Sequence, residues 1–194
     1  MISALTPDAC LENRKAGPHL TVRKAVMHDI SDILDLINGY AAKGVMLPRT
    51  EFEMSEAIRD FTVATDTGKL VGCGALHFYS PTAGELRSLA VAEQAKTNGV
   101  GRRLVEALVA EAQGYELDSV FAFTYVVDFF SKVGFHPVER GILPLKAWKD
   151  CLRCPKFHAC DELAVIRVLR PERWTGSLPQ GAPEPYIQLP LLRS

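Results

Sequence analysis

The stretch VAEQAKTNGVGRRLVEAL, residues 91–108, leaves the end of an apolar run, passes through a turn with two glycines and enters a helical pattern. What that turn holds decides the fold. Gly99 and Gly101 let the backbone come close to a bound group, and the helix beyond them opens with unpaired N–H groups and a partial positive charge. Such a turn suits a phosphate. The phosphate loop of nucleotide hydrolases needs four residues between its glycines and then Lys followed by Ser or Thr, and GVGRRL has neither. The dinucleotide fingerprint needs a third small residue three positions after the second glycine, where Leu104 stands here.

Working outward, the helix after the turn places Val100, Leu104 and Leu108 four residues apart, joined by Val105 and Val109, while Arg102, Arg103, Glu106 and Glu111 face water. Upstream, ELRSLAVA reads as a strand that starts after a turn over Pro81 to Gly84. DFTVATDTGKLVGCGALHFYS is two β-branched and apolar runs broken at Asp66, Thr67 and Gly68, the mark of a hairpin. Leu20 to Val26 reads as a first strand, and His28 to Ala42 as a helix with Ile30, Ile33, Leu34 and Ile37 on one face. Thr50 and Glu53 stand in the relation of a capping box, so a second helix starts after Arg49, with Phe52 and Ile58 as its apolar anchors. Downstream come a strand in DSVFAFTY, a short helix in DFFSKVGF ended by Gly134, a strand over Phe135 to Val138 and a last strand over residues 162–169. The series fits an α/β (α+β) class, a mixed central sheet flanked by helices.

The chain has 194 residues, 47% of them apolar and 23% charged, the balance of one ordinary globular domain with extra segments. No apolar run approaches a bilayer span, and the first residues lack the basic start and apolar core of a secretory signal, so a cytoplasmic protein is expected. A formal charge of −1 with scattered basic residues gives no field for nucleic acid. The organisation expected is an extension over 1–19, a domain over 20–170 and a proline-rich arm over 171–194. In that arm the apolar Ile187, Leu189 and Leu191 could cover a partner subunit, as in a homodimer.

LAVAEQAKTNGVGRRLVEALVAEA, preceded by a hairpin and followed by VFAFTY and FFSKVGF, resembles the acetyl-CoA-binding core of the GNAT superfamily of N-acetyltransferases. The resemblance covers roughly residues 20–170 as an order of elements and implies a mainly antiparallel sheet, splayed at the cofactor. In that family Gln or Arg, two residues, Gly, one residue and then Gly or Ala cradle the diphosphate of coenzyme A; Lys96, Gly99 and Gly101 fill those places here. Lys96 keeps a charge but loses the planar fork of arginine. By resemblance the cofactor lies against Leu89, Ala90, Val91, Lys96, Thr97, Asn98, Gly99, Val100, Gly101, Arg102 and Phe129, and the backbone N–H of Val91 could stabilise the developing oxyanion. The family's FYxKxGF runs from Phe129 to Phe135, with Phe130 where many members carry a tyrosine that protonates the leaving sulfur. A thiol with a reference pKa of about 8.5 can leave near neutral pH with little help. Tyr125, at a strand end, reads as packing. For the amine, Glu85 and His77 are the candidates for a water-relayed base, His77 reading more readily as a satisfied, half-buried residue.

INGYAAKGVMLPRT, IRDFTVA, LVGCGALHFY and GELRSLAV are similar to the stand-alone N-acetylglutamate synthases of arginine biosynthesis, and LPLKAWKDCLRCPKFHACDELAV resembles the end of one bacterial branch of that group. The resemblance implies an amino acid as acceptor, L-glutamate first, and neither the kinase domain of the longer synthases nor its arginine feedback is expected. Arginine is the side chain best shaped for a carboxylate, and Arg49 and Arg87 are the candidates to bind one; in related synthases an arginine of the LPR segment faces the substrate. Cys151, Cys154, His158 and Cys160 could form a compact zinc knuckle, but the span is very short and no distant second pair of ligands exists, which favours reduced thiols or an opportunistic disulfide. Two other functions stay open at this level: acetylation of another small amine or a protein N-terminus, and a non-catalytic module that holds acetyl-CoA.

Overall fold

A two-residue turn organises the centre of the fold. Thr67 and Gly68 both take positive φ, 47° and 83°, so the turn twists with its strands, and β2 (Phe61–Asp66) folds back on β3 (Lys69–Phe78) in antiparallel register. The computed structural model describes residues 20–143, 154–156 and 159–174. Around the hairpin stand β1 (Leu20–Lys24), β4 (Ala83–Val91), β5 (Ser119–Thr124), β6 (His136–Val138) and β7 (Leu163–Val168), in the order β1-β2-β3-β4-β5-β7-β6. Only the β4–β5 pair is parallel. This is the mixed, mainly antiparallel sheet that the sequence resemblance implies. Helices cover both faces: α1 (Ile30–Ala41) and α2 (Glu51–Ala57) lie on one, and α3 (Val100–Gly114) with the short α4 (Val127–Ser131) on the other.

The apolar stripe of α3 buries Val100, Leu104, Val105, Leu108, Val109 and Ala112, as its spacing predicts. Gly72 lets this helix sit close. A Cβ there would lie 2.9 Å from Leu104 Cδ1 and 3.0 Å from Val100 Cγ1. On the other face Ile30, Ile33 and Ile37 of α1 pack with Met54 and Ile58 against Phe61, Val63, Cys73, Ala75 and Ala90. Thr50 caps α2 with the predicted box: its Oγ1 accepts from the Glu53 N–H, and the Glu53 carboxylate accepts from the Thr50 N–H.

Two expectations change. Phe52 is not an anchor of α2 but 72% exposed, because the helix turns Met54 inward instead and hands the packing on to Ile58 in the turn that follows. Gly84 is not in a turn: it pairs with Phe78 on one side and Val120 on the other, where a Cβ would meet the ends of Leu117 and Leu76 at 2.9 Å. Past β7, Trp174 packs on the cluster of Phe121, Leu143, Ala164 and Ile166, and Arg173 pairs with Asp118 at 3.0 Å. Ile187, Leu189 and Leu191 lie outside the described residues.

Candidate active site

The sheet opens at its centre. β4 and β5 share only three rungs, Ala83–Ser119, Gly84–Val120 and Glu85–Phe121; beyond them β4 continues on β3 while β5 follows β7. Backbone groups of β4 after Glu85 therefore border a gap rather than a ladder. The Ala92 N–H donates to Val71 O at 2.9 Å, and Gly72 faces Val91 across the strands. Paired and unpaired positions alternate in an antiparallel ladder, so the N–H and C=O of Val91 turn from β3 into the gap.

A bulge sets this departure. Between the rungs Cys73–Ala90 and Ala75–Arg87, β3 advances two residues and β4 three, and the extra residue, Ser88, has a φ of 53°. A non-glycine residue in the left-handed region is strained, and only over-determined surroundings keep it there. As a result Arg87 and Ala90 share the face of α1 and α2, while Leu89 crosses to the α3 side and touches the α-carbon space of Gly74. Nothing in the sequence marks Ser88 for this role.

At the mouth of the gap lies the glycine turn. Gly99, at φ 73°, is the left-handed N-cap of α3, and no side chain caps the helix. The first N–H groups of a 15-residue helix are thereby left to a ligand. Gly101 answers a second need: a Cβ there would press on the Phe129 ring at 3.3 Å, with Val91 Cγ2 at 3.6 Å. This glycine lets the helix start lie directly over β4 and α4. Lys96 is exposed and its Nζ reaches both oxygens of Glu93, at 3.0 and 2.9 Å. That bond holds the Glu93 carboxyl below its ordinary range and raises the Lys96 ammonium above its own. Arg102 pairs with Glu106 one turn along, and the Thr97 hydroxyl lies against Asn98 at 3.5 Å.

The residues expected to bind the acceptor lie toward the α1–α2 face. Asn38 of α1 grips the backbone of Arg49 twice, accepting from its N–H at 2.9 Å and donating to its C=O at 3.0 Å, immediately before the cap of α2. Arg87 is nearly buried, with Nη2 3.9 Å from Asp60 Oδ2. The same oxygen lies 3.0 Å from His77 Nδ1, so His77 is the satisfied, half-buried residue expected. Glu85 pairs with His77 across the strands and is fully buried. Asp60 and Asn38 escape sequence reasoning, because the partners of each are brought close only by folding.

Phe130 is buried among aromatic neighbours, Phe129 at 5.3 Å and Phe135 at 5.1 Å between ring centroids, and supplies no proton. Tyr125 is exposed at the end of β5; its hydroxyl meets Lys156 Nζ at 3.2 Å, and partial desolvation pushes its pKa up. Cys154 and Cys160 are free thiols, and no metal-binding cluster occurs among the described residues. Cys151 and His158 lie outside them.

Parted strands, a bulged edge and an uncapped helix start thus meet at one slot in the sheet. The chain belongs to the GNAT family: residues 57–137 match the acetyltransferase (GNAT) domain. It is 41% identical over 148 residues to an uncharacterised N-acetyltransferase of Chlorobaculum tepidum, spanning 76% of this chain and 96% of that one. An amino-acid acetyltransferase of Mycobacterium tuberculosis is 36% identical over 121 residues, 61% of this chain and 69% of that one. The N-acetylglutamate synthase of Neisseria gonorrhoeae, solved with coenzyme A and N-acetyl-glutamate, superposes with a TM-score of 0.70 at 27% identity, over 78% of this chain and 35% of that longer one. Coenzyme A fits the residues present, since the donors bare at α3 and the edge bare at β4 match its diphosphate and its amide-bearing arm. Among the described residues no helix is long and apolar enough to cross a membrane.

Proposed function

We propose that the protein transfers the acetyl group of acetyl-CoA to the α-amino group of an amino acid, with L-glutamate the first candidate, as a step of arginine biosynthesis. The observation that carries this reading is the Val91 N–H turned into a gap that opens beside a ready anion site at α3. When bound, acetyl-CoA supplies a thioester carbonyl and a leaving thiolate. The chain then has three tasks. The N–H groups from Gly99 to Arg102 hold the diphosphate, with Lys96 as a mobile charge beside them and Thr97 and Asn98 lining the bend; Leu89, Ala90 and Phe129 flank the arm. The Val91 N–H stabilises the oxyanion as the amine attacks, and in a water-poor gap such a fixed donor is worth roughly 3–4 kcal/mol of barrier. Glu85 accepts the ammonium proton through water, its buried carboxylate lying on the acceptor face below the bulge.

The α-amino group of a free amino acid is protonated near neutral pH and needs a base, whereas a thiolate needs no strong acid to leave, so the loss of a tyrosine at Phe130 is tolerable chemistry. Arg49 and Arg87 supply the positive charge for acceptor carboxylates. The name of the Mycobacterium relative and the ligand of the Neisseria neighbour support an amino acid, and glutamate among them. The test is a screen of the common amino acids for release of free coenzyme A, with the acetylated product identified by mass. Turnover with glutamate above all others is expected. Release only with non-amino-acid amines, or none at all, overturns the reading.

A further inference from the structure

The last turn of α1 touches both halves of the site. Asn38 and Tyr40 are two residues apart, so at 3.6 residues per turn their side chains leave the helix about 200° apart. One goes toward Arg49, through the pair of bonds to its N–H and C=O. The other goes toward the cofactor strand: the Tyr40 hydroxyl donates to Val91 O at 2.6 Å and lies 3.2 Å from Glu93 Oε1. The Tyr40 ring is flanked by two ammonium groups, Lys96 at 5.1 Å and Lys43 at 5.2 Å from its centroid. Asn38 and the adjoining Gly39 are poor helix formers, and the pair is a common turn signal, yet the helix runs through both. Packing does not explain the glycine, around whose Cβ position nothing lies within 4 Å.

We propose that this turn is a brace that sets the distance between acceptor and thioester, with Asn38 and Tyr40 as positioning residues: Asn38 aims Arg49 through its backbone, and Tyr40 fixes the Val91 end of β4. The inference rests on the roles given above to Arg49 and Val91. A brace of this kind makes a split prediction, because each end serves a different substrate. A shift of about 1 Å in a reacting group can cost a hundredfold in rate, so small displacements at either end are visible.

The test is steady-state kinetics with acetyl-CoA and L-glutamate, or L-glutamine should it be the better acceptor, on Asn38→Ala, Tyr40→Phe and Arg49→Ala, each with a melting curve. Asn38→Ala is expected to raise the acceptor KM at least tenfold and leave that for acetyl-CoA within twofold. Tyr40→Phe, which deletes one oxygen, is expected to lower kcat or raise the acetyl-CoA KM at least fivefold with the acceptor KM within twofold. Should Asn38→Ala fail to fold, Asn38→Asp keeps the acceptor for the Arg49 N–H, replaces the donor with a carboxylate oxygen against the Arg49 C=O, and carries the same split. Equal changes in both KM values, or a lower Tm with kcat and both KM values unchanged, reduce the residues to structural support and overturn the brace. If Arg49→Ala raises the acceptor KM and Asn38→Ala does not, the brace fails while the acceptor assignment stands. If Arg49→Ala changes nothing, that assignment itself falls and takes the Asn38 end with it.

Discussion

Single charges at the edge of the cleft set how well it receives an anion. Lys96 occupies the place where the fingerprint has Gln or Arg, and Glu93 holds it at 2.9–3.0 Å in an exposed pair. A carboxylate beside a diphosphate site is unfavourable, and Glu93 stays ionised across the working range because its own pKa is lowered by Lys96. Glu93→Gln is therefore expected to lower the KM for acetyl-CoA about two- to fivefold at low salt, with the advantage fading as ionic strength rises. A higher KM would show that Glu93 serves the cofactor by aiming Lys96. Asp29 makes a different kind of contribution, at the junction of β1 and α1. It is buried, accepts from both Arg23 Nη1 at 2.7 Å and Nη2 at 2.8 Å, and also from the Val26 N–H. These bonds, that to Arg23 first, hold its carboxyl below the ordinary value of 3.8. A lowered folded pKa means that the contribution is present above that ordinary value and is lost as the pH falls through the folded one. Arg23 is more than a third exposed, so we expect Asp29→Asn to lose only about 1–2 kcal/mol near pH 7. Denaturant melts of both forms should converge as the pH falls below the ordinary carboxylate value and through the lowered one, and a constant difference would refute the ion pair as its cause.

Among the elements, β4 borders the gap, and its bulge is where local rules stop predicting. Ser88 at φ 53° is strained, and a β-branched residue there is strained further. Ser88→Val is expected to cost about 1–2 kcal/mol of stability if the bulge survives. If the strand instead slips to regular pairing, Leu89 and Val91 both leave the α3 face, and kcat/KM falls by a hundredfold or more with little change in Tm. A fully active variant would deny the bulge its part in aiming Val91. The elements themselves were legible. The hairpin turn, the Thr50–Glu53 box and the α3 stripe are written in residues within a few positions of one another, and such signals survive folding unchanged. The glycine turn was legible too, since Gly99 needs its left-handed φ whatever surrounds it. What stayed hidden depends on distant partners: Asn38 meets Arg49 across 11 residues, and Tyr40 meets Val91 across 51. Phe52 misled because apolar spacing marks a helix face, while tertiary packing decides which face is inward.

At the scale of the molecule, the sheet is two half-sheets with a slot between them. β1 to β4 carry α1 and α2, while β5, β7 and β6 carry α4, and the halves meet at three rungs and through the core under α3. A ligand in the slot adds a bridge that the unfolded chain cannot use, so it must stabilise the fold by mass action. At one hundred times its Kd, coenzyme A is expected to add about 2.7 kcal/mol, or roughly 5–10 °C in Tm for a domain of this size. The shift should keep growing with ligand concentration. Free pantetheine, which has the arm but no diphosphate, should give a much smaller shift at equal concentration, because the N–H groups at the start of α3 remain without their anion. Amide exchange locates the effect: the Val91 N–H and the first amides of α3 should slow on binding, while exchange at the far β1 edge stays as it was. Equal shifts from both ligands would move the recognition away from the glycine turn. Protection confined to other strands would move the thioester away from β4.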